Sequence, residues 1–118
     1  MIKSILVVDD EPEQLLMVES LLKERGYTVV VASDGEEGLK KALQVRPDLI
    51  LLDIMMPRMD GTETASRLKN DPRTKNIPIF FLTAVIAAED RKNFEGNTTP
   101  IFAKPVIFSE LLDAIRQL

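Results

Sequence analysis

The chain contains no cysteine and no histidine among its 118 residues. The missing cysteine excludes a disulfide framework, thiolate chemistry and any metal site built on sulfur. The missing histidine removes the commonest general base and the usual ligand of transition metals. Catalysis by Ser-His-Asp or Cys-His groups is therefore excluded, and so is a phosphohistidine on this chain.

A basic surface and a long apolar run are missing as well. The formal net charge is −4 and the sequence pI is about 4.9, whereas nucleic-acid backbones bind basic faces, so no direct nucleic-acid binding is expected. The longest mainly apolar stretch without a charge, 77–88, is interrupted by Pro78 and is too short to span a bilayer. The start carries no signal-peptide cleavage pattern. We expect a cytoplasmic protein with no membrane contact, whose acidic balance permits a divalent cation or a basic partner.

What is present is enough apolar material for a packed core. About a third of the residues are Leu, Ile, Val or Phe, whereas disordered chains fall below roughly 20% on this measure. No internal repeat, low-complexity segment or linker interrupts the chain. The sequence therefore predicts a single domain over residues 1–118.

Apolar patterning predicts strands and helices in strict alternation. Continuous apolar runs, typical of strands buried on both faces, predict strands at 5–8, 27–32, 49–52, 77–82 and 101–103. Helical spacing predicts helices at 13–25, 36–45, 62–70, 88–94 and 108–118, with Pro12 in the first turn of the first helix and Ser109 as cap of the last. Five β-α units predict a doubly wound α/β fold, a parallel sheet covered by helices on both faces.

Polar residues follow four of the five predicted strands. Asp9 and Asp10 end the first, Asp53 the third, Thr83 the fourth and Lys104 the fifth. Ligand sites of open α/β sheets lie outside the carboxyl ends of the strands, where the strand order reverses. The second strand ends in the turn sequence 33–35, to which we assign no chemical role. This favours a position for the second strand at the edge of the sheet, and hence the strand order 2-1-3-4-5.

Each of these residues also has a structural explanation. The acids at 9–11 suit a helix N-terminus, and Thr83 and Lys104 taken alone suit a cap and a solvated charge. Asp53 lies between apolar residues, where an idle carboxylate is costly. If the three aspartates converge, each pair of charges costs roughly 3 kcal/mol at about 5 Å and an effective dielectric near 20.

A bound cation explains such a cluster. Ligation by oxygen alone favours Mg²⁺ over Zn²⁺. A magnesium ion, a lysine and a threonine around a carboxylate form a site for a phosphoryl group, and a carboxylate can itself attack phosphorus.

Four motifs carry a resemblance to a known family. They are Ile-Leu-Val-Val-Asp-Asp-Glu at 5–11, Asp-Leu-Ile-Leu-Leu-Asp-Ile-Met-Met-Pro at 48–57 with Asp-Gly at 60–61, Phe-Leu-Thr-Ala at 81–84, and Ala-Lys-Pro at 103–105. In this order and spacing, the chain resembles the receiver domains of two-component response regulators over essentially its whole length. The resemblance implies a flavodoxin-like, CheY-like fold and a phosphoacceptor in a phosphorelay rather than a turnover enzyme.

The resemblance also implies a role for each acidic residue. Asp53 is the expected phosphoacceptor. Asp10 and Asp53 are expected to bind Mg²⁺ through their carboxylates, together with the backbone carbonyl of Met55, while Asp9 acts largely through water. The expected donor is a phosphohistidine on a partner histidine kinase, and the expected recipient of the signal is a downstream protein or output domain.

Further expectations concern the phosphoryl group and the switch. Thr83, Ala84 and Lys104 are expected to bind the phosphoryl group, and the bond before Pro105 is expected to be cis. The last helix is expected to form a partner surface, with a homodimer as one outcome.

The chain departs from the family pattern at several positions. Where it commonly carries an aromatic switch residue, this chain has Ile101, and the aromatic follows as Phe102. Met55 and Val85 occupy the positions that tune hydrolysis, and both are apolar, so slow dephosphorylation is expected.

Three alternatives remain. A phosphohydrolase of the haloacid dehalogenase type would carry Asp-x-Asp-x-Thr after the first strand, but residues 9–13 read Asp-Asp-Glu-Pro-Glu. A flavin-binding protein would need a phosphate loop and stacking aromatics, and the only large aromatics are one tyrosine and five phenylalanines. A receiver used only for docking would not need the full set of site residues.

Overall fold

The computed structural model describes residues 1–56, 58–83, 100–104 and 106–118. Its strands are β1 (Ser4–Val8), β2 (Thr28–Ala32), β3 (Leu49–Asp53), β4 (Ile79–Thr83) and β5 (Ile101–Ala103). Its helices are α1 (Pro12–Glu24), α2 (Gly35–Val45), α3 (Gly61–Asn70) and, as numbered here, α4 (Phe108–Arg116). The helix predicted at 88–94 lies outside the described residues.

The five strands form one parallel sheet in the order β2-β1-β3-β4-β5, as predicted. Val8 at the end of β1 pairs with Leu52 in β3, and Thr83 at the end of β4 pairs with Ala103 in β5. The carboxyl ends of these four strands therefore lie side by side. The strand order reverses between β1 and β3, so the predicted ligand edge contains Asp9 and Asp53.

Both faces of the sheet are covered, which explains the unbroken apolar strands. Within β1, Ile5 and Val7 belong to one core cluster, while Leu6 and Val8 belong to the cluster on the other face. Every residue of β3 is buried, Asp53 included. The two cores bury the central strands on both faces and so fix the direction in which their carboxyl ends point.

Helix ends follow local capping chemistry, with one correction. Pro12 occupies the first turn of α1, as predicted, and Asp34 caps α2 with its side chain. The predicted Ser109 cap is wrong, because α4 begins at Phe108 and its cap residue is Ile107. Phe108 packs its ring against the core, 5.8 Å from the guanidinium of Arg25, and is the first residue of the helix, so Ser109 lies inside the first turn.

Candidate functional site

The polar residues of four strand ends meet at one edge of the sheet. The backbone N–H of Asp9 donates to the carbonyl of Ala32 at 3.1 Å, which extends the β1–β2 ladder by one residue. The N–H of Lys104 donates to the carbonyl of Thr83 at 2.7 Å and extends the β4–β5 ladder in the same way. Backbone pairing, rather than side-chain attraction, therefore delivers these residues to the edge.

Four carboxylates form an acidic cluster there. Asp9, Asp10, Glu11 and Asp53 each offer one oxygen, and these oxygens lie within 4.8 Å of one another. Asp9 and Asp53 are 2% and 1% exposed. A group of carboxylate oxygens this close fits a hard divalent cation such as Mg²⁺, which takes oxygen ligands and keeps some of its water. The predicted convergence of the three aspartates is present, and Glu11 joins them.

Glu11 is a member that sequence reasoning left out of the site. Its side chain is largely exposed, and its carboxylate lies 3.8 Å from the ammonium of Lys104. Its N–H donates to Asp9 Oδ1 at 2.9 Å, so Glu11 also fixes the orientation of that carboxylate. The sequence feature that could have identified Glu11 is its place as the third acid of the motif at 9–11.

Lys104 supplies the positive charge of the site. Its Nζ lies 2.7 Å from Asp9 Oδ2 and 3.4 Å from Asp53 Oδ2, and the side chain is only 6% exposed. Burial works to lower the pKa of Lys104, but the hydrogen bond and charge of Asp9, aided by Asp53, outweigh it and raise the pKa above its ordinary value. Lys104 therefore remains an ammonium and offsets part of the repulsion between the two buried carboxylates.

Asp53, unlike Lys104, has a pKa shifted toward its neutral form. Burial, together with the charge of Asp9, raises its pKa from 3.8 to about 6, while Lys104 and the N–H of Met55 oppose that rise. Without a metal, the Asp53 carboxylate retains its proton to a higher pH than an ordinary aspartate. A cation bound in the cluster favours the ionised form, which is the form that can act as a nucleophile.

This pKa predicts an unusual pH dependence of stability in metal-free protein. The pKa of Asp53 is higher in the folded protein, about 6, than the ordinary value of 3.8 that it has in the unfolded chain. Its favourable contribution to the free energy of unfolding is therefore complete below pH 4 and is lost as the pH rises through about 6. The loss amounts to about 3 kcal/mol. Asp53→Asn should remove it, so the variant should be more stable than wild type at pH 8 by about that amount and equal to it below pH 4. Urea unfolding in EDTA across this range measures the difference; a difference independent of pH would contradict the assignment.

The segment after β3 shapes the mouth of the site. Asp53 Oδ1 accepts a hydrogen bond from the N–H of Met55 at 3.2 Å, and the side chain of Met55 is 68% exposed. A depression of about 460 Å³ opens beside it and is lined by Asp10, Ile54, Met55, Met56 and Asp60. The acidic cluster is therefore accessible from solvent along an apolar wall.

Gly61 is a positioning residue to which the sequence motifs assign no role, although the Asp-Gly pair at 60–61 belongs to one of them. Asp60 caps α3 by accepting from the N–H of Glu63, and the N–H of Gly61 donates to the carbonyl of Ile54 at 2.9 Å. A Cβ on Gly61 would lie 2.2 Å from the carbonyl oxygen of Asp53 and 2.7 Å from the Cα of Ile54. The start of α3 therefore contacts the backbone that carries Asp53, and only glycine fits there.

We expect Gly61→Ala to damage both folding and the site. The new methyl group meets backbone rather than a movable side chain, so the substitution should cost at least the ~1–3 kcal/mol typical of overpacking. It should also weaken Mg²⁺ binding, because Asp53 must shift. Gly26→Ala is the control: Gly26 has a φ of +91° in open space, so alanine there costs stability through backbone strain, remote from the cluster. Equal Mg²⁺ affinities in the two folded variants would refute the positioning role.

The predicted switch positions fall on opposite faces of β5. Ile101 packs against one core cluster and Phe102 against the other, where its ring lies 5.3 Å from that of Phe80. Thr83 is buried at the end of β4. The predicted roles of Ala84, Val85 and Pro105 concern residues outside the described part of the chain.

With this geometry in place, comparison with known proteins defines the class. Residues 5–116 match the response regulator receiver domain family. The chain is 38% identical over 115 residues to the DNA-binding dual master transcriptional regulator RpaA of a Synechocystis strain, covering 97% of this chain and 48% of RpaA. It is also 38% identical over 115 residues to the response regulator PleD of Caulobacter vibrioides, covering 97% of this chain and 25% of PleD.

A solved structure agrees. The chemotaxis protein CheY4 of Vibrio cholerae superposes with a TM-score of 0.88 at 31% identity, covering 99% of this chain and 98% of that one. The chain therefore belongs to the receiver domain family of two-component response regulators.

That membership carries general properties. Receiver domains accept phosphoryl groups rather than turn over a substrate, and they generally bind Mg²⁺ at an acidic cluster. This favours the phosphoacceptor over the hydrolase and flavin alternatives. The chain spans about half or less of the length of these two curated relatives. Within the described residues, no helix has both the length and the apolar character needed to cross a membrane.

Proposed function

We propose that Asp53 accepts a phosphoryl group from a phosphohistidine on a partner histidine kinase and that the product regulates a downstream protein or output domain in the cytoplasm. The observation that carries this proposal is the setting of Asp53. Its buried carboxylate lies 3.4 Å from the ammonium of Lys104 and within a cluster of acids that fits Mg²⁺.

The residues divide the chemistry between them. An oxygen of Asp53 attacks phosphorus; the O–P bond forms as the P–N bond of phosphohistidine breaks, and the electron pair stays on the imidazole nitrogen. Lys104, already directed at Asp53, offsets charge on the incoming phosphoryl oxygens. A magnesium ion held by Asp10, Asp53 and the carbonyl of Met55, with Asp9 acting through water, would supply further charge neutralisation.

Relay of the signal is proposed to begin at Thr83. Movement of Thr83 and Ala84 toward the phosphoryl group would shift the end of β4, and the hydrogen bond from Lys104 to the Thr83 carbonyl passes that shift to β5. Ile101 is β-branched and carries no hydroxyl, so backbone shifts and repacking against α4 replace a ring flip. We propose the face around Ile101 and α4 as the partner or homodimer surface.

The lifetime of the phosphorylated form is proposed to be long. The side chains of Met55 and Val85 cannot position a water molecule for attack on phosphorus, since neither offers a strong hydrogen bond. Met55 is largely exposed, so Met55→Asn should fold normally and shorten the lifetime of the aspartyl phosphate. Loss of radiolabel over time, compared between wild type and variant, measures this; identical rates would contradict the role of Met55.

The proposal is tested by intact-mass measurement after incubation with acetyl phosphate. A gain of one phosphoryl group is expected with Mg²⁺ and not with EDTA, and reduction with borohydride followed by peptide mapping should place the label on Asp53. Magnesium should also raise the melting temperature by binding linkage. A protein whose mass and melting curve are unchanged by Mg²⁺ and acetyl phosphate would instead be a docking-only receiver.

A further inference from the structure

In the described part of the sheet, β2 is an edge strand that pairs with β1 on one side only. Thr28 donates its N–H to Lys3, and Ala32 accepts at its carbonyl from Asp9, so these two residues face β1. Because backbone groups alternate along a strand, the N–H and C=O groups of Val29, Val31 and Ser33 point away from β1. In the described part of the chain no strand lies beyond β2. Such an edge is a template for pairing with another strand.

Two side chains of α2 meet this edge at its outward-facing groups. The ammonium of Lys41 donates to the carbonyl of Val31. The carboxylate of Glu37 accepts from the backbone N–H of Ser33 at 3.3 Å and from its hydroxyl at 3.0 Å. The carbonyl of Val31 and the N–H of Ser33 are the two groups that one residue of an added parallel strand would use. Lys41 and Glu37 thus supply a donor and an acceptor in the places of the N–H and C=O groups of that residue.

The two side chains also hold each other in place. Lys41 Nζ lies 2.9 Å from Glu37 Oε1, one helical turn away, and both side chains are only partly exposed. The hydrogen bonds from Lys41 and Ser33 lower the pKa of Glu37, so the carboxylate stays charged at neutral pH. An i,i+4 ion pair alone contributes only a few tenths of a kcal/mol to a helix. Its further contacts with β2 indicate a second role.

We propose that Lys41 and Glu37 close the β2 edge against pairing with a second copy of this chain. A second copy is the fitting occupant because the edge is self-complementary. In antiparallel pairing about a twofold axis at Val31, each Val31 N–H meets the Val31 carbonyl of the other copy. The segment Thr28–Ala32 reads Thr-Val-Val-Val-Ala, which is β-branched, uncharged and free of proline. This surface is separate from the α4 face proposed for signalling.

The test compares Lys41→Met with Lys40→Met, which removes the same charge from the neighbouring, exposed residue. We expect Lys41→Met to self-associate in sedimentation velocity as concentration rises, while wild type and Lys40→Met do not associate through β2. Amide exchange at Val31 should slow about fivefold once the total concentration of the variant is about ten times its dimer Kd. The double variant Glu37→Ala/Lys41→Met keeps the wild-type net charge and should associate most strongly.

Three outcomes would overturn the proposal. Lys41→Met and the double variant could both stay monomeric with an unchanged Val31 amide. Lys40→Met could associate as strongly as Lys41→Met, which would make charge the cause. Association could also occur without protection of Val31, which would place the interface elsewhere.

Discussion

Replacing Asp53 by asparagine is expected to abolish phosphoryl acceptance completely. The amide is a poor nucleophile and carries no charge, while the backbone around it is held by β3 pairing and is expected to remain in place. Asp9 is a poor substitute, because one of its oxygens is engaged by Lys104 and the other by the N–H of Glu11. Intact mass after incubation with Mg²⁺ and acetyl phosphate should show no added phosphoryl group in the variant.

The matched control is Asp113→Asn, which makes the same chemical change on the exposed surface of α4. It should accept a phosphoryl group as wild type does. A gain of one phosphoryl group by Asp53→Asn would mean that another carboxylate of the cluster, such as the partly buried Asp10 or the exposed Glu11, is the acceptor. Urea unfolding of the same preparation checks that the variant is folded. Because the pKa of Asp53 is raised in the folded protein, we expect the metal-free variant to be at least as stable as wild type.

The strand framework and the site edge could be predicted from sequence because buried parallel strands leave a strong pattern. Unbroken apolar runs ended by Asp9, Asp53 and Thr83 indicate both the strand and the edge where it stops. Boundaries moved by one or two residues. Thr83 and Asp53 were expected just after their strands, but backbone pairing includes both in the ladders.

The missed features depend on contacts between distant segments. The role of Gly61 arises from the backbone of Asp53, which occupies the space that a Cβ at position 61 would need, and local sequence does not encode that approach. The closure of β2 by Lys41 depends on which carbonyls face outward, and that follows from strand register rather than from composition. Ser109 had the right residue type for a cap, but the helix begins at Phe108, whose ring packs against the core, so the cap is Ile107, two residues earlier.

Lys104→Met is expected to produce the largest loss of stability among the site variants. The Lys104 side chain is 6% exposed, and within the described residues its ammonium is the cation that contacts both Asp9 and Asp53. Methionine would leave these two buried carboxylates facing each other. Removing one partner of a buried ion pair costs about 3–5 kcal/mol. Protonation of Asp53 relieves part of this, so the loss should be larger at pH 8 than at pH 5, the direction set by its raised pKa.

Magnesium separates this electrostatic account from simple loss of packing. A cation bound among the acids replaces part of the missing charge, so Mg²⁺ should stabilise Lys104→Met more than wild type in urea unfolding, although phosphoryl acceptance should still fall by about 10²–10³. Lys23→Met is the control, because Lys23 pairs with Glu19 at 3.2 Å on an exposed helix face and such pairs contribute about 0–1 kcal/mol. If both variants lost equal stability and neither gained extra from Mg²⁺, Lys104 would not be the charge that balances the buried acids.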